Sequence, residues 1–398
     1  MAKIAILGFG TVGSGVYEVL CHNAASVSRR AGEPVEVKYI LDPKDFTGNP
    51  VEPLVVKNID VILQDPEIRV VVETIGGVGA AYEYTRRCLM AGKHVVTANK
   101  QLVAEHGCEL LELARKNHVN YLFEASVGGG IPILHPLTQC MAANRVDEIY
   151  GILNGTTNFI LTKMVKEGAS FAEVLKLAQQ KGYAEADPTA DVQGIDAGRK
   201  ICILADLAFG HQVNPNRVPM EGITKLDLKD VEIAGRHGYR IKLLGRCLRL
   251  EGDRRTAYVA PHLISMDNPI SDVNDVFNAV VVRGNATGEV MFYGKGAGEL
   301  PTASAVVADV MECILEDRPR PEIGWSADEG GFVSPLELKG RWYFRIDAPA
   351  EQVHPLLEKA RILEEGRDTV LITEPITGTE AEALAKKLPV LTCLRVLD

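Results

Sequence analysis

The sequence predicts an α/β fold whose first domain is a parallel sheet covered by helices on both faces. Short β-branched runs alternate with helical patterns over residues 1–130, and a glycine-rich turn joins the first strand to the first helix. The length of 398 residues and the hydrophobic share of 46% provide enough apolar material for two or three domain cores. We therefore expect a doubly wound domain followed by smaller domains of a different type.

The elements of the first domain alternate in the order that a doubly wound sheet requires. We predict strands at 3–7, 35–41, 70–73, 94–98 and 121–124, and helices at 12–22, 80–90 and 107–116. This domain spans residues 1–130, and a helix at about 300–318 is predicted to return and complete it.

The pattern changes after residue 130, where turn-rich joints and longer strand-like runs begin. Residues 131–299 are predicted to form a mixed α+β substrate and dimerisation domain, with helices near 170–181 and 190–210 and strands at 240–250, 256–262, 279–284 and 289–293. A linker at 319–340 leads to a small α+β module at 341–398, with strands at 341–346, 369–373 and 390–396 and helices at 350–359 and 379–387.

The charge and cysteine content exclude several classes of function. Lys and Arg number 43 against 53 Asp and Glu, and a net charge of -10 does not attract nucleic acid or anionic lipid. No apolar run approaches the roughly 20 residues that span a bilayer. The eight cysteines are scattered without a C-x-x-C pair, so a reducing cytoplasm is the simplest compartment. We expect neither nucleic acid nor a membrane as a partner.

The segment Gly8-Phe9-Gly10-Thr11-Val12-Gly13 follows the first strand and opens the first helix. In this context a G-x-G-x-x-G pattern predicts a Rossmann-type dinucleotide site. The first glycine allows the tight turn, the second lets the pyrophosphate approach the backbone, and the third lets helix and strand pack closely. Free N–H groups at the helix N-terminus would bind the phosphates.

Two further residues lie at the carboxyl ends of predicted strands, where open α/β sheets bind ligands. Asp42 ends the second strand and is a candidate for binding the ribose hydroxyls, with a plain turn aspartate before Pro43 as the alternative. Because Lys44 could instead favour a 2′-phosphate, the choice between NAD and NADP stays open, with a lean to NAD. Lys100 follows the strand at 94–98.

Asp196 and Lys200 lie four residues apart at the start of a largely apolar helix, so both side chains lie on one face. Partial burial would move the lysine pKa toward the range useful for proton transfer. A dehydrogenase needs such a group at the oxygen of the carbon that exchanges hydride. An ordinary solvated ion pair is the alternative.

Seven motifs, in order along roughly the first 320 residues, together resemble homoserine dehydrogenase. They are the 8–13 loop, Thr97-Ala98-Asn99-Lys100, the 124–132 segment, the 151–158 segment, Gly182-Tyr183-Ala184-Glu185-Ala186-Asp187-Pro188, the 191–200 segment and Gly294-Lys295-Gly296-Ala297-Gly298. The resemblance implies reversible reduction of L-aspartate 4-semialdehyde to L-homoserine with NAD(P)H, a step toward threonine, methionine and isoleucine.

The resemblance also implies roles for individual residues. Lys200 matches the proton donor to the carbonyl oxygen, Asp196 assists it, and Lys100 matches a lysine near the nicotinamide that shares this role. The residues expected to hold the substrate are Glu185, Asp196, Asp191 and Tyr183. Those expected at the cofactor are Gly8, Phe9, Gly10, Thr11, Val12, Gly13, Asp42, Lys100, Gly182 and Gly298, with Gly296 as the alternative to Gly298.

A bound monovalent cation, usually sodium, is a further implication of the resemblance. Its ligands would be the Glu124 side chain and the backbone carbonyl groups of Val127, Gly129 and Ile131, an oxygen-only set that suits a hard cation. The family also forms homodimers or homotetramers, and strand runs such as 256–262 are suitable for edge pairing.

The C-terminal module resembles an ACT domain, a βαββαβ fold that often senses amino acids. Two features depart from that pattern: the turn Asp347-Ala348-Pro349-Ala350 lacks the usual glycine, and the central hairpin looks shortened to roughly one strand. We therefore expect a degenerate module that mediates dimerisation rather than threonine feedback.

Two other functions fit part of the sequence. A dehydrogenase of the aspartate-semialdehyde or glyceraldehyde-phosphate type would need an activated cysteine, whereas Cys140 and Cys202 look like small core residues. A non-catalytic sensor would need the 8–13 loop but not Glu185, Asp196 and Lys200 together. Their joint presence favours the enzyme.

Overall fold

The computed structural model describes residues 1–315, 325–353 and 359–397. Its chain divides into two compact units of three segments each. The first unit comprises Met1–Arg145, Cys202–Pro215 and Gly294–Glu329, and the second comprises Val146–Ile201, Asn216–Tyr293 and Gly330–Asp398. The end of the predicted returning helix, part of the predicted linker and part of the predicted helix at 350–359 lie outside the described residues. Among the helices that are described, none has the length and apolar character needed to cross a membrane.

Six parallel strands form the sheet of the first unit. They are Ala2–Leu7, Val35–Leu41, Val55–Val56, Ile68–Glu73, His94–Thr97 and Tyr121–Leu122, and their spatial order is third, second, first, fourth, fifth, sixth. The main helices of this unit are Thr11–His22, Ala24–Ala31, Ile59–Gln64, Gly79–Met90, Lys100–Lys116 and Glu299–Leu315. Because the order reverses between the first and fourth strands, a ligand crevice is expected at that point.

The register of this sheet brings four strand ends into one row. Leu7 pairs with both Leu41 and Glu73, and Glu73 pairs with Thr97. Helix Glu299–Leu315 packs its apolar face, including Val306 and Val310, into the same buried cluster as the strand residues of this sheet. The loops that follow the four strand ends therefore begin next to one another, at the edge of a well-packed sheet.

The second unit contains a nine-stranded mixed sheet. Its strands, in spatial order, are Gly288–Lys295, Phe277–Gly284, Val146–Ile152, Tyr239–Arg249, Arg255–Ser265, Val390–Leu397, Trp342–Ile346, Thr369–Ile372 and Arg361–Glu364. The helices are Gly155–Glu167, Phe171–Gln180, Thr189–Val192, Ile195–Phe209, Leu228–Arg236, Ala350–Val353 and Gly378–Lys387. Helix Ile195–Phe209 begins in this unit and continues into the first at Cys202.

The C-terminal strands complete an antiparallel hairpin that the sequence analysis did not expect. Arg361–Glu364 pairs with Thr369–Ile372, so the prediction of a hairpin shortened to one strand is wrong. The hairpin was missed because its first strand is short and half-buried, which gave no clear strand signal before the turn at 365–368. The module also shares its sheet with the rest of the unit, since Arg395 of its last strand pairs in parallel with His262.

Strand Arg255–Ser265 lies inside this sheet, so the prediction that 256–262 is suited to edge pairing is wrong. Its residues are buried almost throughout, and it pairs with Tyr239–Arg249 over the whole length. On its other side it bonds to the segment at Pro219–Glu221, through Val259, and to Val390–Leu397. The strand therefore has no free backbone edge to offer another subunit.

A buried ionic cluster joins helix Leu228–Arg236 to the C-terminal strands. The Asp230 carboxylate is fully buried and accepts hydrogen bonds from Tyr343 Oη at 2.8 Å and from Thr392 Oγ1 at 2.7 Å. Arg345 donates to the same carboxylate through Nε at 2.7 Å and Nη2 at 3.0 Å. Arg345 compensates the charge of Asp230, and each oxygen of that carboxylate accepts two hydrogen bonds.

Candidate active site

The glycine-rich loop is shaped by contacts that only glycine permits. Gly8 has φ +89°, and a Cβ on Gly13 would lie 2.1 Å from the Gly8 carbonyl oxygen. Gly10 differs, because a Cβ there would meet no atom within 4 Å. Gly10 also precedes helix Thr11–His22 without a side-chain cap, so the first N–H groups of that helix are available for an anion. The loop thus fits a dinucleotide pyrophosphate.

Asp42 ties this loop to the second strand. Its carboxylate is 5% exposed and accepts the N–H groups of Phe9 at 2.7 Å and Lys44 at 2.8 Å, one on each oxygen. Lys57 Nζ donates to the Asp42 carbonyl oxygen at 2.8 Å and also contacts that of Lys44. The residue predicted to bind ribose hydroxyls therefore also holds the loop in place, and each of its oxygens keeps a second lone pair. The side chains of Lys44 and Lys57 nearby are exposed.

The ends of the fourth and fifth strands are connected through buried polar side chains. Glu73 Oε2 accepts a hydrogen bond from Thr97 Oγ1 at 2.5 Å, and Oε1 accepts the Ile75 N–H at 2.6 Å. Burial raises the pKa of Glu73 to about 7. Asn99 caps the helix that begins at Lys100, and its Nδ2 donates to the carbonyl oxygens of Ile75 and Gly77. This network fixes the start of the Lys100 helix against the loop that follows Glu73.

Asp196 and Lys200 form a buried pair in the second unit. Lys200 Nζ donates to Asp196 Oδ2 at 2.8 Å and to the Leu153 carbonyl oxygen at 2.7 Å. The two residues are only 5% and 7% exposed, so the solvated alternative does not apply. One carboxylate and one carbonyl oxygen thus fix the position of a buried ammonium group, which is the geometry that a proton donor to a substrate oxygen requires.

A second carboxylate, Asp191, joins this pair through Asn154. The Asn154 amide nitrogen donates to Asp191 Oδ1 at 2.7 Å and to Asp196 Oδ2 at 2.9 Å. Asp191 lies in the short helix Thr189–Val192, and Gly194, with φ +80°, separates that helix from Ile195–Phe209. The break was predicted as continuous helix, and it is what turns Asp191 toward Asn154.

The loop from Gly182 to Glu185 is largely exposed. Gly182 has φ +73°, Tyr183 is 44% exposed, and the Tyr183 carbonyl oxygen accepts a hydrogen bond from Thr156 Oγ1 at 2.6 Å. Glu185 is exposed, and Gln179 Nε2 holds its backbone carbonyl at 3.1 Å. The structure therefore brings Asp191, Asp196 and Lys200 together and leaves Tyr183 and Glu185 on a surface loop.

The predicted cation loop has carbonyl groups suited to a cation, but its carboxylate is already engaged. Glu124 accepts the N–H groups of Ile133 at 2.6 Å, Leu134 at 3.0 Å and His135 at 2.7 Å, and burial together with the Asp309 charge raises its pKa. The loop curls because Gly128 and Gly129 have φ +76° and +57°. Among described residues, none donates a hydrogen bond to the carbonyl oxygens of three loop residues, Val127, Gly129 and Ile131.

His135 lies beside this loop between two acidic groups. Its Nε2 is 2.9 Å from Asp309 Oδ1, and its Nδ1 is 3.2 Å from Glu312 Oε2. These three residues could hold a metal ion. A protonated imidazole satisfies the same carboxylates without one, because both ring nitrogens then donate.

Comparison with known proteins identifies the family. A family model described as "Homoserine dehydrogenase" matches residues 132–311, and one described as "Homoserine dehydrogenase, NAD binding domain" matches residues 8–124. The chain belongs to the homoserine dehydrogenase family. A homoserine dehydrogenase of Pseudomonas aeruginosa is 42% identical over 411 aligned residues, which cover 100% of this chain and 92% of that protein.

Solved structures of homoserine dehydrogenases share the fold. The enzyme from Thiobacillus denitrificans has a TM-score of 0.92 and 36% identity, covering 100% of this chain and 98% of that one. A hyperthermophilic archaeal homoserine dehydrogenase in complex with NADPH has a TM-score of 0.66 and 28% identity, covering 79% and 98%. The predicted resemblance is confirmed, as are the Rossmann-type domain and a nicotinamide cofactor.

Membership of the homoserine dehydrogenase family also decides between the alternatives. The chain is an oxidoreductase of this family rather than a sensor or a thioester-forming aldehyde dehydrogenase. Cys202 is buried in its helix as predicted, whereas the core position predicted for Cys140 is wrong, because Cys140 ends the π-helix Pro136–Cys140 and is exposed. The apolar residues Met141, Ala142 and Ala143 follow it in the sequence, which is why a buried position was expected.

The remaining predicted residues lie at element ends. Lys100 is the first residue of its helix, and Gly298 has φ +126° just before helix Glu299–Leu315. The sequence analysis missed Asn154 and the Leu153 carbonyl group, although both belong to the 151–158 motif. Asn154 could have been identified as a helix cap, since it precedes Gly155-Thr156-Thr157, but its bonds to two carboxylates depend on tertiary packing.

Proposed function

We propose that this chain catalyses the reversible reduction of L-aspartate 4-semialdehyde to L-homoserine, with Lys200 and Asp196 as its proton-transfer centre. The observation that carries the proposal is the position of Lys200 Nζ, buried between Asp196 Oδ2 and the Leu153 carbonyl oxygen. Membership of the homoserine dehydrogenase family and the match to its NAD-binding domain support the overall reaction.

Reduction adds one hydride to the aldehyde carbon and one proton to its oxygen. The bound reduced nicotinamide supplies the hydride. The Lys200 ammonium donates the proton to the carbonyl oxygen and becomes a neutral amine, and in the reverse direction that amine removes the hydroxyl proton. Asp196 keeps the ammonium aligned through its 2.8 Å hydrogen bond. Lys100 is proposed to share this role from the end of the fifth strand.

The substrate is an amino acid, so its α-ammonium group needs anionic partners. Asp191 and Asp196 are proposed to supply them, and Glu185 is proposed to add a third carboxylate from the exposed loop. Tyr183, in the same loop, is proposed to contact the substrate. The backbone at Gly182 and Gly298 is proposed to approach the cofactor, because both glycines have positive φ and an exposed surface.

Asp42 is proposed to bind the ribose hydroxyls of NAD, and the exposed Lys44 beside it is proposed to let the site accept NADP as well. The Asp42 carboxylate accepts one backbone N–H on each oxygen, so each oxygen keeps a second lone pair that can accept a ribose hydroxyl. The exposed side chain of Lys44 offers positive charge to a 2′-phosphate, whereas Lys57 Nζ already donates to the carbonyl oxygens of Asp42 and Lys44. Lys44→Ser is expected to lower kcat/KM with NADP about 10- to 100-fold and to leave the value with NAD near that of the unsubstituted protein.

A monovalent cation is proposed to bind the loop at 124–131 through the backbone carbonyl oxygens of Val127, Gly129 and Ile131. Oxygen ligands suit a hard cation, and the two left-handed glycines turn these carbonyl groups inward. The Glu124 carboxylate would contribute to that site through Oε2, which accepts the His135 N–H and keeps a second lone pair, whereas Oε1 already accepts the N–H groups of Ile133 and Leu134. Sodium is the proposed ion.

Homodimers or homotetramers are proposed, with the exposed edge strand Gly288–Lys295 as one contact. Met291 and Tyr293 on this strand are 41% and 55% exposed. The C-terminal module is proposed to be ACT-like, because its four strands take the order fourth, first, third, second expected for a βαββαβ unit. A cytoplasmic location and a role in dimerisation remain parts of this proposal.

The reaction is tested by following nicotinamide reduction with L-homoserine, using NAD and NADP in parallel. Lys200→Ala is expected to lower kcat about 10²- to 10⁴-fold, as for removal of a general acid and base. Lys166→Ala is the matched control, because Lys166 is an exposed lysine of the same unit that pairs only weakly with Asp275. Unchanged turnover in Lys200→Ala would show that another group transfers the proton.

A further inference from the structure

Asn154 occupies the point where the acidic groups of the candidate active site meet. It lies between Leu153, whose carbonyl oxygen holds Lys200, and helix Gly155–Glu167, and it is 5% exposed. None of the roles assigned above uses this side chain.

The orientation of the Asn154 amide is fixed by its backbone partner. The Thr157 N–H donates to Asn154 Oδ1 at 2.8 Å, and a backbone N–H can only donate, so the atom facing it must be the oxygen. The amide nitrogen therefore faces the other way, toward Asp191 Oδ1 at 2.7 Å and Asp196 Oδ2 at 2.9 Å. Its two hydrogens are directed to two carboxylates from different helices.

Those two carboxylates would repel each other without a donor between them. Asp196 Oδ2 also accepts Lys200 Nζ, so Asn154 and Lys200 share one carboxylate oxygen. A hydrogen bond from a neutral amide reduces the negative charge that the oxygen presents to the ammonium without adding a positive charge. The lysine is thus held in place and can still release its proton.

We propose that Asn154 is a positioning residue, which holds Asp191 and Asp196 side by side and limits how tightly Asp196 binds the Lys200 ammonium. The inference rests on the proposed function, since it assigns these three residues to substrate binding and proton transfer. Asparagine meets both demands of the position, because it accepts at the helix cap and donates twice on the other side. Serine and aspartate could cap the helix but could not donate to both carboxylates.

Two substitutions separate capping from positioning. Asn154→Ser keeps an acceptor for the Thr157 N–H and removes the donors, and Asn154→Asp keeps the acceptor and replaces the donors with a third carboxylate. Both are expected to retain the cap. We expect Asn154→Ser to lower kcat/KM for L-homoserine about 10- to 100-fold, with unchanged affinity for NADPH measured by fluorescence.

The pH profile is the readout that a purely structural role would not change. Homoserine oxidation needs the neutral amine of Lys200, so kcat/KM rises with pH through the lysine titration. A third carboxylate favours the protonated lysine, so Asn154→Asp is expected to move this limb upward by about one pH unit or more. Asn154→Ser is expected to move it in the same direction by less.

Asn158→Ser is the matched control. Asn158 is a buried asparagine one turn further along the same helix, and its Nδ2 donates to the carbonyl oxygens of Val273 and Phe277 at 3.0 Å each. We expect it to lower the thermal midpoint without moving the pH limb. The proposal is overturned when Asn154→Ser keeps the unsubstituted kcat/KM and pH profile. Absence of homoserine oxidation in the unsubstituted protein, or full activity in Lys200→Ala, would instead overturn the proposed function.

Discussion

Glu73 gives the most direct test of the energetics of the first unit. Its carboxyl group is fully buried at the end of strand Ile68–Glu73, where Thr97 Oγ1 and the Ile75 N–H donate hydrogen bonds to it and the Asn99 side chain also interacts with it. No cation compensates its charge among the described interactions that shift its pKa. Burial raises that pKa from 4.5 to about 7, so the folded unit favours the neutral acid.

The magnitude follows from the difference between the folded and unfolded pKa. Each pKa unit is worth about 1.4 kcal/mol, so the folded unit loses about 3 kcal/mol of stability as Glu73 ionises. Because the folded pKa is the higher one, this contribution is fully present below pH 4.5 and is lost as the pH rises through 7. The glutamine of Glu73→Gln cannot ionise, so this variant does not lose stability in that pH range.

The assay compares the thermal midpoints of Glu73→Gln and the unsubstituted protein between pH 5 and pH 8. The glutamine amide must redirect the Thr97 hydroxyl, at a cost of about 1 kcal/mol that does not depend on pH. About 2.5 kcal/mol of the loss falls between pH 5 and pH 8, which corresponds to about 5–10 °C for a unit of roughly 200 residues, so the variant should gain that much relative to the unsubstituted protein over this range. A midpoint difference that stays constant with pH would refute the reasoning.

Two other predictions concern the nucleotide loop and the second unit. Gly13→Ala is expected to lower stability by about 1–3 kcal/mol and to weaken NADPH binding more than about tenfold, because its Cβ would lie 2.1 Å from the Gly8 carbonyl oxygen. Gly10→Ala, whose Cβ has free space, should keep the thermal midpoint, so equal destabilisation of both variants would contradict this account. Asp230→Ala is expected to destabilise the second unit by about 3–5 kcal/mol in urea unfolding, because Arg345 loses two hydrogen bonds inside the fold. Asp227 and Asp368 still pair with Arg345 in this variant. A loss of stability below about 1 kcal/mol would mean that these two carboxylates are enough to compensate the arginine.

The parts of the fold that could be predicted from the sequence are those with local signals. The glycine loop has a motif whose spacing specifies the turn, and the amphipathic helix Phe171–Gln180 starts at a serine with a glutamate three residues later. Helix Gly155–Glu167 was missed for the opposite reason. Most of its residues are buried, among them the polar residues Thr156, Thr157 and Asn158. The helix therefore has no clear polar face in the sequence pattern.

The parts of the candidate site that could not be predicted depend on which backbone groups meet each carboxylate. Asp42 was identified correctly as the end of a strand, but its bonds to the Phe9 and Lys44 N–H groups follow from the register of two strands and a loop. Glu124 accepts three N–H groups nine to eleven residues further along the chain. Spacing alone indicated that Asp196 and Lys200 share a helix face, but only packing could show that this face is buried.

The position of helix Glu299–Leu315 in the chain has a consequence for synthesis. It covers the sheet of the first unit, yet residue 299 leaves the ribosome on the order of 10 to 30 seconds after the last strand of that sheet. During this interval the buried cluster that contains Val70 and Val72 has the earlier helices Thr11–His22 and Ala24–Ala31 but lacks the residues of helix Glu299–Leu315. The sheet of the second unit is completed even later, because strand Val390–Leu397 lies between two strands that are synthesised before it. The nascent chain therefore presents two unfinished sheets at once, which are natural targets for chaperones and for self-association.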